Sequence, residues 1–220
     1  MFSGCRSKTI HRMIAMIFYT ADLHFGYEAI IEQAGRPFFS AEEMDKTLVD
    51  NWNNLVSEDD TVYFIGDIGG HCTPFPAQQL EKLRGQKHLI RGNHDMCLED
   101  QNLLFEYFES VSDFLEIDDG EYHITLCHYP IVYVQGGYMI HGHLHNTKLE
   151  AFEALKNLPR VMNAGVDIND FRPVTLEQLI ENNRSFYNDP QRGNWSKKHG
   201  HSNKKHKWKA VYKPLPIKNK

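Results

Sequence analysis

The chain has 220 residues, 41% hydrophobic and 24% charged, with a formal net charge of −5. That length supports one sizeable core, and the composition is that expected of an ordinary soluble globular protein. Four cysteines, Cys5, Cys72, Cys97 and Cys127, are scattered with no Cys-x-x-Cys pair, which argues against a zinc ribbon or a disulfide scaffold and predicts free thiols in a reducing cytoplasm.

In chain order, Arg6, Lys8 and Arg12 precede the apolar run Met13–Tyr19. The run is too short to span a bilayer and leads directly into Asp22-Leu23-His24. It therefore reads as a first core strand over Ile14–Tyr19, not a targeting segment. Ser40-Ala41-Glu42-Glu43 is a capping-box start for a helix reaching about Val56. Thr61–Ile65 reads as a short buried strand, Pro76–Leu83 as a helix, Lys87–Ile90 as a strand and Gln101–Phe108 as a helix. Val111–Ile117 and Tyr122–Cys127 read as strands flanking a hairpin turn at Asp118-Asp119-Gly120. Tyr138–Ile140 and Arg160–Met162 are short strands, and Thr175 caps a last helix over Leu176–Asn182. The alternation is that of an α/β protein.

Charge divides the chain. From Gln191 onward there are ten Lys or Arg and no Asp or Glu, which leaves 14 basic and 29 acidic residues in the rest. The expected organisation is an N-terminal extension over 1–12, one domain over 13–190 and a basic tail over 191–220. In the tail, Lys197, Lys198, Lys204, Lys205, Lys207, Lys209 and Lys213 interleave with Trp195, Trp208 and Tyr212. Basic charge beside aromatic rings fits nucleic-acid binding. A solvated terminus, or one lying against the acidic body, is the alternative. No membrane partner is expected.

Polar residues gather just after the apolar strands: Asp22-Leu23-His24, Gly66-Asp67, Gly92-Asn93-His94-Asp95, His128 and His141-Gly142-His143-Leu144-His145. Ligands of α/β sheets bind outside the carboxyl ends of strands, so five strand ends deliver Asp, His or Asn to one edge. Carboxylate and imidazole donors suit Mn, Fe, Zn or Ni and need no thiolate. One carboxylate can bridge two ions, and Asp67, following a central strand, is placed for that. Two such ions, roughly 3.5–4 Å apart, activate a water and stabilise a leaving oxygen.

These five motifs, in this order over about residues 14–167, resemble the calcineurin-like metallophosphoesterase superfamily, and Tyr19-Thr20-Ala21-Asp22-Leu23-His24-Phe25-Gly26, Arg36-Pro37-Phe38 and Trp52-Asn53 resemble its small single-domain bacterial or phage-type members. The resemblance implies a four-layer αββα sandwich of two mixed β-sheets flanked by helices. It also implies two divalent ions, manganese above the others. Asp22, His24, Asp67 and His145 would hold one ion, and Asp67, Asn93, His128 and His143 the other. A metal-bridging hydroxide would attack a phosphate ester, with His94 as general acid and Asp95 orienting His94 and raising its basicity. A phosphodiester is preferred over a monoester because a general acid helps most with a poor leaving group. Asn163-Ala164-Gly165-Val166-Asp167 resembles the family's support beneath the site. The segment Gly66-Asp67-Ile68-Gly69-Gly70-His71 lacks the Asp-Arg pair of the Ser/Thr protein phosphatases, which argues against that activity. Arg91 is expected in a structural ion pair, with contact to substrate as the alternative, and His141 beside the ligands through strand alternation. A scaffold that kept the fold without the chemistry, and a nucleic-acid-binding protein or nuclease using the tail, are the competing readings.

Overall fold

The computed structural model describes residues 15–71, 73–98, 100–148, 154–189 and 193. The expected N-terminal extension, the start of the first strand and the basic tail's Lys and Trp residues lie outside them. Two four-stranded sheets form the centre. The first comprises β1 (Ile17–Thr20), β2 (Thr61–Ile65), β3 (Gln86–Ile90) and β4 (Ser110–Ser112), in that order and parallel throughout. The second comprises β5 (Leu115–Asp119), β6 (Tyr122–Leu126), β7 (Tyr138–His141) and β8 (Val161–Asn163). Here β5 and β6 are an antiparallel hairpin and the other pairs are parallel.

Period-two alternation divides the apolar side chains between three packing layers. Phe18, Val62, Phe64 and Leu89 face outward from the first sheet, while Tyr19, Ile65 and Ile90 face the second sheet's Ile124, Leu126, Ile140 and Met162. Met139 and Val161 face outward from the second sheet, under Leu155. The first sheet's outer face is covered by α1 (Ala29–Ala34), α2 (Ala41–Asn53) and α3 (Ala77–Leu80). In α2 the stripe Met44, Leu48, Trp52 repeats every four residues and is buried, with the Trp52 ring 4.9 Å from Phe64. Helix α4 (Leu176–Asn188) starts with a capping box made by Thr175 and Gln178 and lies against β8 and β1. Its buried Asn183 accepts a hydrogen bond from Asn163 N and donates one to Asn163 O. It thereby satisfies an edge-strand residue as another strand would.

Several elements differ from expectation. The single strand over Val111–Ile117 is two strands in different sheets. The break follows Ser112, where Asp113 takes a bidentate pair from Arg91. The hairpin strand runs on to Asp119, which pairs with Tyr122, so the turn is Gly120-Glu121, with Gly120 at φ 62°. The helix over Pro76–Leu83 shortens to α3, and Gln101–Glu106 is a 3-10 helix. Helix α4 extends past Asn182, because Asn183 faces inward and the stripe resumes at Phe186.

Candidate metal centre

All seven expected ligands converge at the carboxyl ends of β1, β2, β3, β6 and β7. The loops there are tight. Asp22, His24, Asp67, His143 and His145 have φ between 49° and 70°, five of the seven non-glycine residues with positive φ among the described residues. Left-handed backbone costs on the order of 1–3 kcal/mol per residue and persists where surrounding structure enforces it, commonly at functional sites. Two of the motif glycines have a steric reason. A Cβ on Gly92 would collide with Asp67 Oδ1, and one on Gly66 with the His128 ring and the Gly92 backbone.

Three sets of donor atoms, each with its atoms within 4.8 Å of one another, are suited to hold cations: Asp22, His24 and His145; His24, Asp67 and His94; and Asp67, His128 and His143. Asp67 Oδ2 lies centrally, 3.7 Å from His24 Nε2, 3.4 Å from His128 Nε2 and 3.9 Å from His94 Nε2. Asn93 Oδ1 is 3.1 Å from His128 Nε2 and 2.9 Å from His143 Nδ1, which brings Asn93 to the second position. Asp22 Oδ1 accepts from His143 N at 3.0 Å, tying the two positions together. Asp22 Oδ2 and His24 Nε2 are buried without a hydrogen-bond partner. Unpaired buried polar atoms are rare, and a divalent ion between these two would satisfy both. The residues therefore fit the implied metal.

Three histidines are oriented from behind. His24 Nδ1 donates to Gly69 O at 3.0 Å, His128 Nδ1 to Ile65 O at 2.9 Å and His145 Nδ1 to the Asp167 carboxylate at 2.8 Å. Such partners fix the ring and its tautomer. Burial pushes His128 down, but its bond to Asp67 and the charges of Asp22 and Asp67 lift it to about 9. Burial pushes Asp67 up, and the bond from His128 with the charges of His128 and His24 more than reverses that, to about 2. Burial dominates at Asp22, which is raised, and at His24, which is well below the usual imidazole range.

His94 sits at the rim, half-buried, its ring edge-on to His24 at 4.9 Å and tilted against Tyr27 at 5.9 Å. The expected Asp95–His94 bond is absent, which corrects the role given to Asp95. Asp95 Oδ2 accepts from Asp67 N and Gly92 N at 2.8 Å each, Oδ1 accepts from Ile68 N at 2.9 Å, and His94 Nδ1 has no hydrogen-bond partner. Its carboxylate thus clamps the β2 loop to the β3 loop. Arg91 forms the expected ion pair, with Asp113. β7 stops at His141, so the alternation does not carry on to His143. His141 is buried with Nδ1 on Gly142 O at 2.7 Å and belongs to none of the donor sets.

Sequence reasoning singled out Arg36-Pro37-Phe38 only as a subgroup feature and gave Arg36 no role at the site. The Arg36 side chain donates to Asp167 Oδ1 at 2.8 Å and Oδ2 at 3.1 Å, to Asp22 O at 2.7 Å and to Leu23 O at 2.9 Å. No local spacing links an arginine to a carboxylate 131 positions later. The Asn163–Asp167 segment does lie beneath the site. Asn163 Nδ2 donates to His145 O at 2.8 Å, and Asp167 holds the His145 ring.

The model of calcineurin-like phosphoesterases matches residues 16–218. The chain belongs to the calcineurin-like phosphoesterase family. The chain is 32% identical over 167 residues to an uncharacterised protein of Methanocaldococcus jannaschii, covering 75% of this chain and 89% of that protein. It is 31% identical over 160 residues to the gene 66 protein of Mycobacterium phage L5, covering 59% of this chain and 77% of that protein. A crystal structure of a protein of unknown function from Aquifex aeolicus superposes with a TM-score of 0.62 at 25% identity, covering 76% of this chain and 99% of that one. No helix among the described residues is long and apolar enough to cross a membrane.

Proposed function

We propose that the chain hydrolyses phosphodiesters, and monoesters at the same centre, using two divalent transition-metal ions. The observation that carries this reading is the donor set Asp22, His24 and His145 beside the set Asp67, His128 and His143, with Asp67 Oδ2 only 3.7 Å from His24 Nε2 and with Asp22 Oδ2 and His24 Nε2 buried and unpartnered. Asp22, His24, Asp67 and His145 would hold one ion, and Asp67, Asn93, His128 and His143 the other. Bound there, the ions supply Lewis acidity and acidify water. The seven side chains bring two carboxylates against four positive charges, so the centre stays attractive to a phosphate. His94, with Nε2 facing the centre from the rim, donates its proton to the leaving oxygen. The gain is largest for an alkoxide, whose conjugate acid is weak, and this favours diesters.

The test is cleavage of an aryl-alkyl phosphodiester, a bis-aryl diester and an aryl monoester by protein loaded with Mn, Ni or Zn. His94→Ala is expected to lower kcat roughly 10²–10⁴-fold on the poorest leaving group and less on the best, with metal content unchanged. Burial lowers His94 despite the opposing charge of Asp67. The free-enzyme profile, kcat/KM, should therefore fall as pH rises through a value below the ordinary imidazole pKa of about 6.5, and His94→Ala should lack that limb. Protein carrying two ions that cleaves none of the esters, or a His94→Ala variant as active as wild type, would sink the reading.

A further inference from the structure

The geometry points to Arg36 as a positioning residue that pre-forms one of the two metal positions, the one made by Asp22, His24 and His145. This rests on the two-metal reading above.

The guanidinium is wholly enclosed, with 0% of its side chain exposed, and Asp167 beside it is 1% exposed. Its donors go in two directions. Nε and Nη2 reach the Asp167 carboxylate, whose Oδ2 also takes the Nδ1–H of His145 at 2.8 Å. Nη2 and Nη1 reach the carbonyls of Asp22 and Leu23. One planar group thus grips the β1 loop that carries Asp22 and His24 and, through Asp167, the ring of His145. These segments are far apart in sequence, since Arg36 and Asp167 are 131 positions apart. A lysine carries one nitrogen and cannot serve both directions with the same fixed angles.

The charge balance supports a metal-positioning role. Arg36 and Asp167 neutralise each other, so the arginine does not cancel the negative charge of Asp22 that a cation needs. Asp167 in turn fixes the His145 tautomer with Nδ1 protonated, which leaves Nε2 as the donor atom. The second position is braced through its backbone instead, where the Asp95 carboxylate accepts from Asp67 N and Gly92 N, and among the described residues no carboxylate stands behind its imidazole rings. His128 leans on the Ile65 carbonyl, and His143 keeps Nδ1 towards Asn93 with its ring 4.6 Å from Tyr129. Donors held in place before binding lose less freedom when the ion arrives. The Asp22–His24–His145 position should therefore fill first, and its occupancy should depend on Arg36.

The test on the unmodified protein is a zinc titration followed through histidine ring signals by NMR. His24 and His145 are expected to respond within the first equivalent, and His128 and His143 in the second. Arg36→Met and Asp167→Asn are then dialysed against a fixed free-metal concentration and their metal content measured. Both are expected to retain about one ion where wild type retains two, with the lost position weakened roughly 10–100-fold, and Arg36→Lys to fall between. Should either variant fail to fold, the wild-type filling order still decides. His128 and His143 responding first, or folded variants holding two ions with unchanged affinity, overturns the role of Arg36 while leaving the two-metal reading intact. Wild type that binds no zinc in the titration removes both.

Discussion

Asp95 shows how a short motif misleads about a single side chain. Adjacent to His94, it invites a role in orienting that ring, yet its carboxylate oxygens accept three backbone N–H bonds, from Asp67, Ile68 and Gly92. Burial raises it to about 6, against the pull of those bonds. A carboxyl raised above its unfolded value of about 3.9 contributes stability that is present below that value and lost as pH rises through about 6. Asp95→Asn keeps one acceptor oxygen and turns an amide towards an N–H. It is expected to destabilise the fold by about 1–3 kcal/mol at pH 7. The gap from wild type should widen between pH 6 and 4, where only the wild type gains by protonation. Urea unfolding at pH 7 and pH 5 measures both. If Asp95 instead tuned His94, the descending limb of kcat/KM would shift with little change in stability.

Among the elements, caps and stripes were the most legible. Ser40 accepts from Glu43 N at 3.2 Å and opens α2 as the motif implies, though the Glu43 carboxylate reaches Phe39 N at 2.7 Å instead of Ser40 N. Ser40→Ala is expected to cost about 1 kcal/mol and to leave metal content and kcat unchanged, since α2 lies on the first sheet's outer face. A thermal melt alongside an ester assay checks this, and a loss of activity in folded protein would contradict it. Strand identity was legible from apolar runs, and β2 lies where its run predicts. The split of Val111–Ile117 between two sheets was not. Ser112-Asp113 is a weak turn signal inside an otherwise mostly apolar run, and the break accompanies the pairing of Asp113 with Arg91 from a neighbouring loop.

For the molecule as a whole, the site joins the two sheets. The first contributes Asp22, His24, Asp67 and Asn93 and the second His128, His143 and His145, while Val166 N donates to Ala21 O at 3.1 Å across the junction. An ion bound there cross-links both sheets, so metal should stabilise the native state by about 2.7 kcal/mol per site at a hundredfold excess over Kd. His128, raised to about 9, holds a proton that metal must displace. The rise in Tm on adding metal should therefore grow from pH 6 towards pH 9, by calorimetry with and without chelator. A metal-induced shift that is absent, or that shrinks with rising pH, would count against this.

Residue types, their order and their place after apolar runs were enough to pick out seven side chains that the fold brings together, because strand polarity sends every such loop to the same edge. The fold class followed from the same alternation and from the resemblance. The braces were beyond the reach of sequence. Arg36 meets Asp167 and Asp95 meets the Asp67 backbone only after two sheets pack and several loops turn left-handed. A hydrogen bond across 131 positions leaves no periodicity to read. Local chemistry thus marked the residues that meet at this edge, and long-range packing chose what holds each of them in place.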